Sequence, residues 1–221
     1  DWSSDVCSSD LSTDDLRDKR IAVQLGTVYD LYAASRFPGA TVMQFNTYQE
    51  VTLAVSGDKA DAGLSDLDTL NEVQRANPDL VRFGKPIFTS DVAAGFPKSS
   101  QPLRASFNAF LKSIHENGVH ADMSNRWMAT RDTRMPEIPV SNANGTLVVG
   151  VSSGGFPFVA VQDGQLAGFD VELARRFAAH IGKEPQFVDV DFGDRRYNRL
   201  IAIRVGDAAA RQHISGSAGL R

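Results

Sequence analysis

The chain has 221 residues, 42% hydrophobic and 23% charged, which excludes a fully disordered polymer and allows one or two domains with buried cores. Its net charge of −4, from 23 basic and 27 acidic side chains, leaves no basic excess for a nucleic-acid surface. No apolar run approaches the roughly 18 residues of a membrane span, and the single cysteine, Cys7, excludes an internal disulfide.

The first stretch, Asp1–Leu11, has neither a basic leader nor an apolar centre and does not read as a signal peptide. It resembles a translated sequencing adapter, or else a natural polar tail, and residues 1–10 are set aside from the fold. Ser12–Leu16 places cap residues before a short turn, and Arg20–Leu25 is a β-type run broken by Gly26-Thr27. A helix is predicted over Tyr29–Ser35, stopped by Phe37-Pro38-Gly39, and then a strand over Thr41–Phe45. Thr47 is placed to cap a helix over Tyr48–Ser56, with Gly57 at its end. Ala60–Leu64 reads as a third strand, after which Ser65 or Asp66 caps a helix to about Arg75.

Strands alternating with helices at this spacing predict a parallel α/β sheet. Ligands on such sheets sit at the carboxyl ends of the strands. Gly26-Thr27 and Ser65-Asp66 are the loops at those ends.

Further along, Val81–Phe83 and Ser90–Phe96 read as extended segments. Pro102–Asn117 is an amphipathic helix with Leu103, Phe107, Phe110, Leu111 and Ile114 on one face. A short helix carrying Met123, Trp127 and Met128 follows. Residues 131–144, with Pro136 and Pro139 and few core residues, read as a linker. The chain then restarts: a strand over Thr146–Val151, a hairpin of Phe158–Val161 with Gln165–Phe169, a helix over Val171–Ile181 and a strand over Gln186–Val190. The four histidines show no metal-ligand spacing, and no metal or cofactor is expected.

Several stretches together resemble a known family. Gly145–Val151, Phe156-Pro157-Phe158, Gly164-x-Leu-x-Gly-Phe-Asp-Val171, Leu173–Phe177 and Gly182 are similar to the first lobe of the bacterial extracellular solute-binding proteins, family 3. Arg20–Asp66, including Ser56-Gly57-x-Lys-Ala-Asp61-Ala62, resembles that family's second lobe, and Phe107–Leu111, Gly118 and Arg126-Trp127 resemble its closing segment. The resemblance implies a periplasmic-binding-protein-like (type II) bilobal α/β fold, incomplete here and drawn from two tandem copies. Residues 11–130 would be the later part of a first solute-binding domain, 131–144 the linker, 145–192 the start of a second domain, and 193–221 a divergent or truncated tail. A circular permutation is the other arrangement compatible with this order. On the tandem reading each cleft lacks part of a lobe, and the chain alone is expected to bind weakly.

The family binds the α-carboxylate of an amino acid at a helix N-terminus and its ammonium on an aspartate. Gly26, Thr27 and Val28 match the first place, and Ser65 and Asp66 the second. Free amides and the helix dipole favour an anion at the one, and a charge-assisted bond favours a cation at the other. Spacing alone supports equally a purely capping role for Thr27 and Asp66. In the second unit the family's usual aromatic falls at Gly155, so Phe156 and Phe158 are the candidates to stack on a ligand there, with a core role the alternative for Phe158. Leu200–Ile203 resembles the family's next helix, Asp194–Asn198 looks inserted, and Gln212–Arg221 matches nothing.

The resemblance implies an extracytoplasmic protein that captures an amino acid by lobe closure and delivers it to an ABC permease. The same domains fused to a membrane sensor kinase or cyclase are the alternative, in which closure shifts a signalling equilibrium. The wider family includes lytic transglycosylases and cyclohexadienyl dehydratases. With no nucleophile elbow, zinc-protease helix or phosphate loop, the sequence is read as non-enzymatic.

Overall fold

The computed structural model describes residues 12–84, 86–89, 92–130, 132–152, 156–190 and 201–205, the last by backbone alone. The sequence readings at residues 1–10, Gly155, Asp194–Asn198 and Gln212–Arg221 lie outside this set. The fold is mixed α/β, and the chain separates into two compact units divided between Asp91 and Val92.

The first unit opens with a 3-10 turn, Thr13–Leu16, capped by Ser12 and Asp15 in a reciprocal pair. Its elements are β1 (Arg20–Gln24), α1 (Val28–Arg36), β2 (Thr41–Phe45), α2 (Tyr48–Ser56), β3 (Ala62–Gly63) and α3 (Leu67–Ala76). All three strands are parallel, in the order β2-β1-β3. The central strand β1 buries both faces. Ile21 and Val23 join Leu16, Ala33, Phe37 and Ala62 on one side, while Ala22 joins Val51, Ala54 and Ala60 on the other. A parallel strand with helices on both sides requires this continuous apolar run. The third strand is shorter than Ala60–Leu64 would suggest, and Val81–Phe83 forms no strand.

Arg20 and Asp61 fasten the lower edge of this sheet. The Arg20 N–H and Nε donate to Asp61 Oδ2 at 2.8 and 3.1 Å, and Arg20 Nη2 donates to Oδ1 at 2.6 Å. The guanidinium holds the Asp61 carboxyl below the usual carboxylate range.

The second unit contains β4 (Ala93–Gly95), α4 (Gln101–Glu116), α5 (Val119–Ser124), a π-helical turn over Asn125–Thr130, β5 (Thr146–Val151), β6 (Ala160–Gln162), β7 (Gln165–Ala167), α6 (Phe169–His180), β8 (Glu184–Asp189) and β9 (Ile201–Val205). Its main sheet has the order β4-β9-β5-β8, with β5 parallel to β8 and β9, and β4 antiparallel to β9. The strand at 201–205 replaces the helix expected from Leu200–Ile203; its β-branched residues and the open edge of β5 favour pairing. The order β8-β5-β9 repeats the order β2-β1-β3: in each trio the earliest strand lies between the two later ones.

The contact boundary does not fall at residues 131–144. One apolar core takes Phe107, Phe110, Ile114, Met123 and Trp127 from before that stretch and Leu147, Val149, Val171, Leu173 and Phe177 from after it. Burying these side chains together removes more apolar surface from water than either segment could remove alone. Residues 132–144 carry no helix or strand and connect two parts of one unit.

A buried acid fixes this union. Glu172, on α6, is fully buried. It accepts from Arg126 Nη2 at 2.7 Å, Trp127 Nε1 at 2.7 Å and Arg176 Nε at 2.8 Å. At the start of α6, Gly168 has φ 129°, and a Cβ there would strike the Phe158 carbonyl, so only glycine fits.

Candidate functional site

The residues expected to bind ligand in the first unit converge at the carboxyl ends of β1 and β3. Gly26 has φ 77°, which turns the chain sharply from β1 into α1. Thr27 is the N-cap of α1 and is buried. Its hydroxyl donates to the Gln24 carbonyl at 2.7 Å and accepts the Asp30 N–H at 3.4 Å. The Thr27 N–H donates to Gln24 as well, at 3.3 Å.

Asp30, in the first turn of α1, is the residue that motif reading missed. Its Oδ2 accepts the Gly26 N–H at 3.1 Å, and its Oδ1 accepts from Gln44 Nε2 at 2.8 Å. It is also buried. An internal carboxylate therefore occupies part of the anion-favouring end of α1, where the family resemblance places the ligand's carboxylate. Among the described residues, the Val28 N–H meets no acceptor, so it is the amide of the three available for a ligand. The spacing Thr27-x-x-Asp30 is that of a helix-start pair and would have flagged Asp30.

Asp66 stands at the N-cap of α3 with extended backbone, φ −62° and ψ 149°, yet its side chain makes no capping bond. Thr27 and Thr47, at the starts of α1 and α2, both cap with their side chains. The Asp66 carboxylate instead accepts the Tyr29 hydroxyl at 3.0 Å across to α1. Ser65 Oγ and Thr69 Oγ1, beside it, are buried without a hydrogen-bond partner among the described residues. Unsatisfied hydroxyls are costly, and at a helix start they suit a polar ligand group or water. Tyr29 stacks on Phe88, with ring centroids 5.6 Å apart, and Phe88 meets Tyr32 at 5.4 Å.

The candidates in the second unit are placed differently. Phe156 and Phe158 are half-buried and pack against the core, with Phe156 edge-on to Trp127 at 6.4 Å. The Pro157 and Phe158 carbonyls accept the Phe169 and Asp170 N–H groups at 3.0 and 3.1 Å, so this loop closes the start of α6. Among the described residues no group of three or more potential metal ligands occurs. No helix of those residues is long and apolar enough to cross a membrane.

Residues 147–202 match the family described as bacterial extracellular solute-binding proteins, family 3. That match and the relatives below support the solute-binding family that the motifs resemble. An arginine-binding periplasmic protein of Mannheimia haemolytica is 32% identical over 121 residues, covering 52% of this chain and 51% of the relative. A putative ABC transporter arginine-binding protein 2 of Escherichia coli (strain K12) is 23% identical over 121 residues, covering 52% and 50%. ABC transporter arginine-binding protein 1 of the same strain is 22% identical over 118 residues, covering 51% and 49%. The chain thus spans about half the length of the curated relatives it matches.

Proposed function

We propose that this chain is part of an extracytoplasmic solute-binding protein that captures an amino acid by lobe closure for an ABC importer. The ligand class is basic, as the names of the relatives suggest. The observation that carries the site assignment is the Asp66 side chain, which leaves its own helix uncapped and lies at the strand ends beside α1. A carboxylate so placed suits an ammonium group, and the Val28 N–H suits the ligand's carboxylate. The role is binding, with the ligand released unchanged. The tandem arrangement is part of the same proposal: residues 11–130 derive from one domain and those from 145 onward from the next, and the 92–130 segment seats on the later lobe.

The test is Asp66→Ala in a receptor carrying both complete lobes. Affinity for arginine should fall by about 2–5 kcal/mol, the cost of removing one partner of a desolvated charge pair. Calorimetry with unchanged affinity would sink the assignment.

A further inference from the structure

We infer that Tyr29 is a positioning residue for ligand selection: its hydroxyl sets the orientation in which the Asp66 carboxylate meets the ligand's ammonium. This rests on the function proposed above and deepens it.

Asp66 departs from the usual behaviour of a helix cap. An aspartate at an N-cap with extended backbone normally turns its side chain back to the amides of its own helix. Asp66 does not, although its backbone angles are those of a cap and the other two long helix starts of this unit are side-chain capped. A local bond has been exchanged for one to Tyr29, 37 residues away in sequence, at 3.0 Å. The phenol donates one hydrogen bond to the carboxylate, which restrains its rotation. A fixed anion is worth more to a cationic ligand than a mobile one, because the ordering cost is met before binding.

Tyr29 is itself held. Its ring lies on Phe88 at 5.6 Å and 28°, in an offset-stack arrangement, and Phe88 is backed by Tyr32. The hydroxyl therefore reaches Asp66 from a ring that α1 and the 86–89 segment clamp together. The position also matters. Tyr29 is the second residue of α1, one beyond the available Val28 amide, so one turn of helix supplies the carboxylate donor and the group that aims the ammonium acceptor.

Tyr29→Phe keeps the ring stack and removes only the hydroxyl. The full 221-residue chain would be titrated with L-arginine and with 5-guanidinopentanoate, which lacks the α-ammonium, by protein-observed NMR up to tens of millimolar. The expected result is an affinity for arginine lowered about tenfold, the worth of one charge-assisted bond, with 5-guanidinopentanoate unchanged within about twofold. A purely structural role would weaken both ligands alike, and that result, or no change for either, overturns the inference. Asp66→Asn separates the two levels. If it abolishes the preference for arginine while Tyr29→Phe leaves that preference intact, the function stands and the role of Tyr29 falls. If the wild-type chain does not prefer arginine, or Asp66→Asn leaves the preference unchanged, both fall.

Discussion

At the scale of single residues, Thr27 shows how one side chain can serve the fold and still mark a site. Its hydroxyl spends its proton on Gln24 and its lone pair on the Asp30 amide, so its visible work is to start α1. Thr27→Ala should cost about 1–2 kcal/mol of stability, since it removes both a cap and a buried bond, as read from urea unfolding. The sequence made the place legible: glycine-threonine after an apolar run signals a strand end and a helix start. It did not reveal that Asp30 folds back onto the Gly26 amide, because that depends on the turn made at Gly26 and on Gln44 from the next strand. Nor could local pattern show the Tyr29–Asp66 bond, which exists only once β1 and β3 lie side by side. Asp61 is the simpler neighbour. Asp61→Asn should cost about 1–2 kcal/mol because its three charge-assisted bonds to Arg20 are half-exposed, and thermal unfolding would measure it.

At the scale of elements, reading went well where the signal was local. The bounds of β2 and α2 agree with the structure residue for residue, and α2 starts at the Thr47 cap, which Glu50 completes as a reciprocal pair. Helix α4 was equally legible from its apolar face. The partner of that face was not, since periodicity shows that a helix buries a stripe and says nothing of what covers it. Glu172 makes the same point: an acid in the first turn of a helix reads as solvent-facing, yet it is fully buried under Arg126, Trp127 and Arg176. Glu172→Gln should destabilise the second unit by about 2–3 kcal/mol, less than for a fully buried pair because Arg126 and Arg176 keep 18% and 27% of their surface in water. Hydrogen exchange of the β5 and α6 amides would register the loss.

At the scale of the whole molecule, charge state links the two units to pH. His120 stacks on His115 at 3.9 Å and meets Phe169 edge-on. Burial, then the neighbouring His115, hold its pKa below the ordinary histidine value. The folded form thus prefers neutral His120, and its contribution is complete above the ordinary value of 6.5 and is lost as pH falls below it. The carboxylates respond lower. Asp14 and Asp61 are held down by arginine partners, and Arg134 lowers Asp132 to about 2. Their contribution is present above 3.8 and is lost as pH falls from there through the folded values. Urea midpoints should therefore hold steady from about pH 8 to 7 and decline in two steps, of which His120→Gln removes the first.

The fastening of Arg126 and Trp127 to Glu172 also sets an order of events during synthesis. Trp127 precedes its acceptor by 45 residues. At about 5–20 residues per second, the finished α4 and α5 wait on the order of 2–9 s before the helix that covers them has been made. Throughout that interval Phe107, Phe110, Ile114, Met123 and Trp127 form an uncovered apolar face on a nascent chain. A chaperone that grips such faces meets its substrate there, and ribosome-bound chains halted after α4 and α5 have emerged but before α6 has would be its tightest clients.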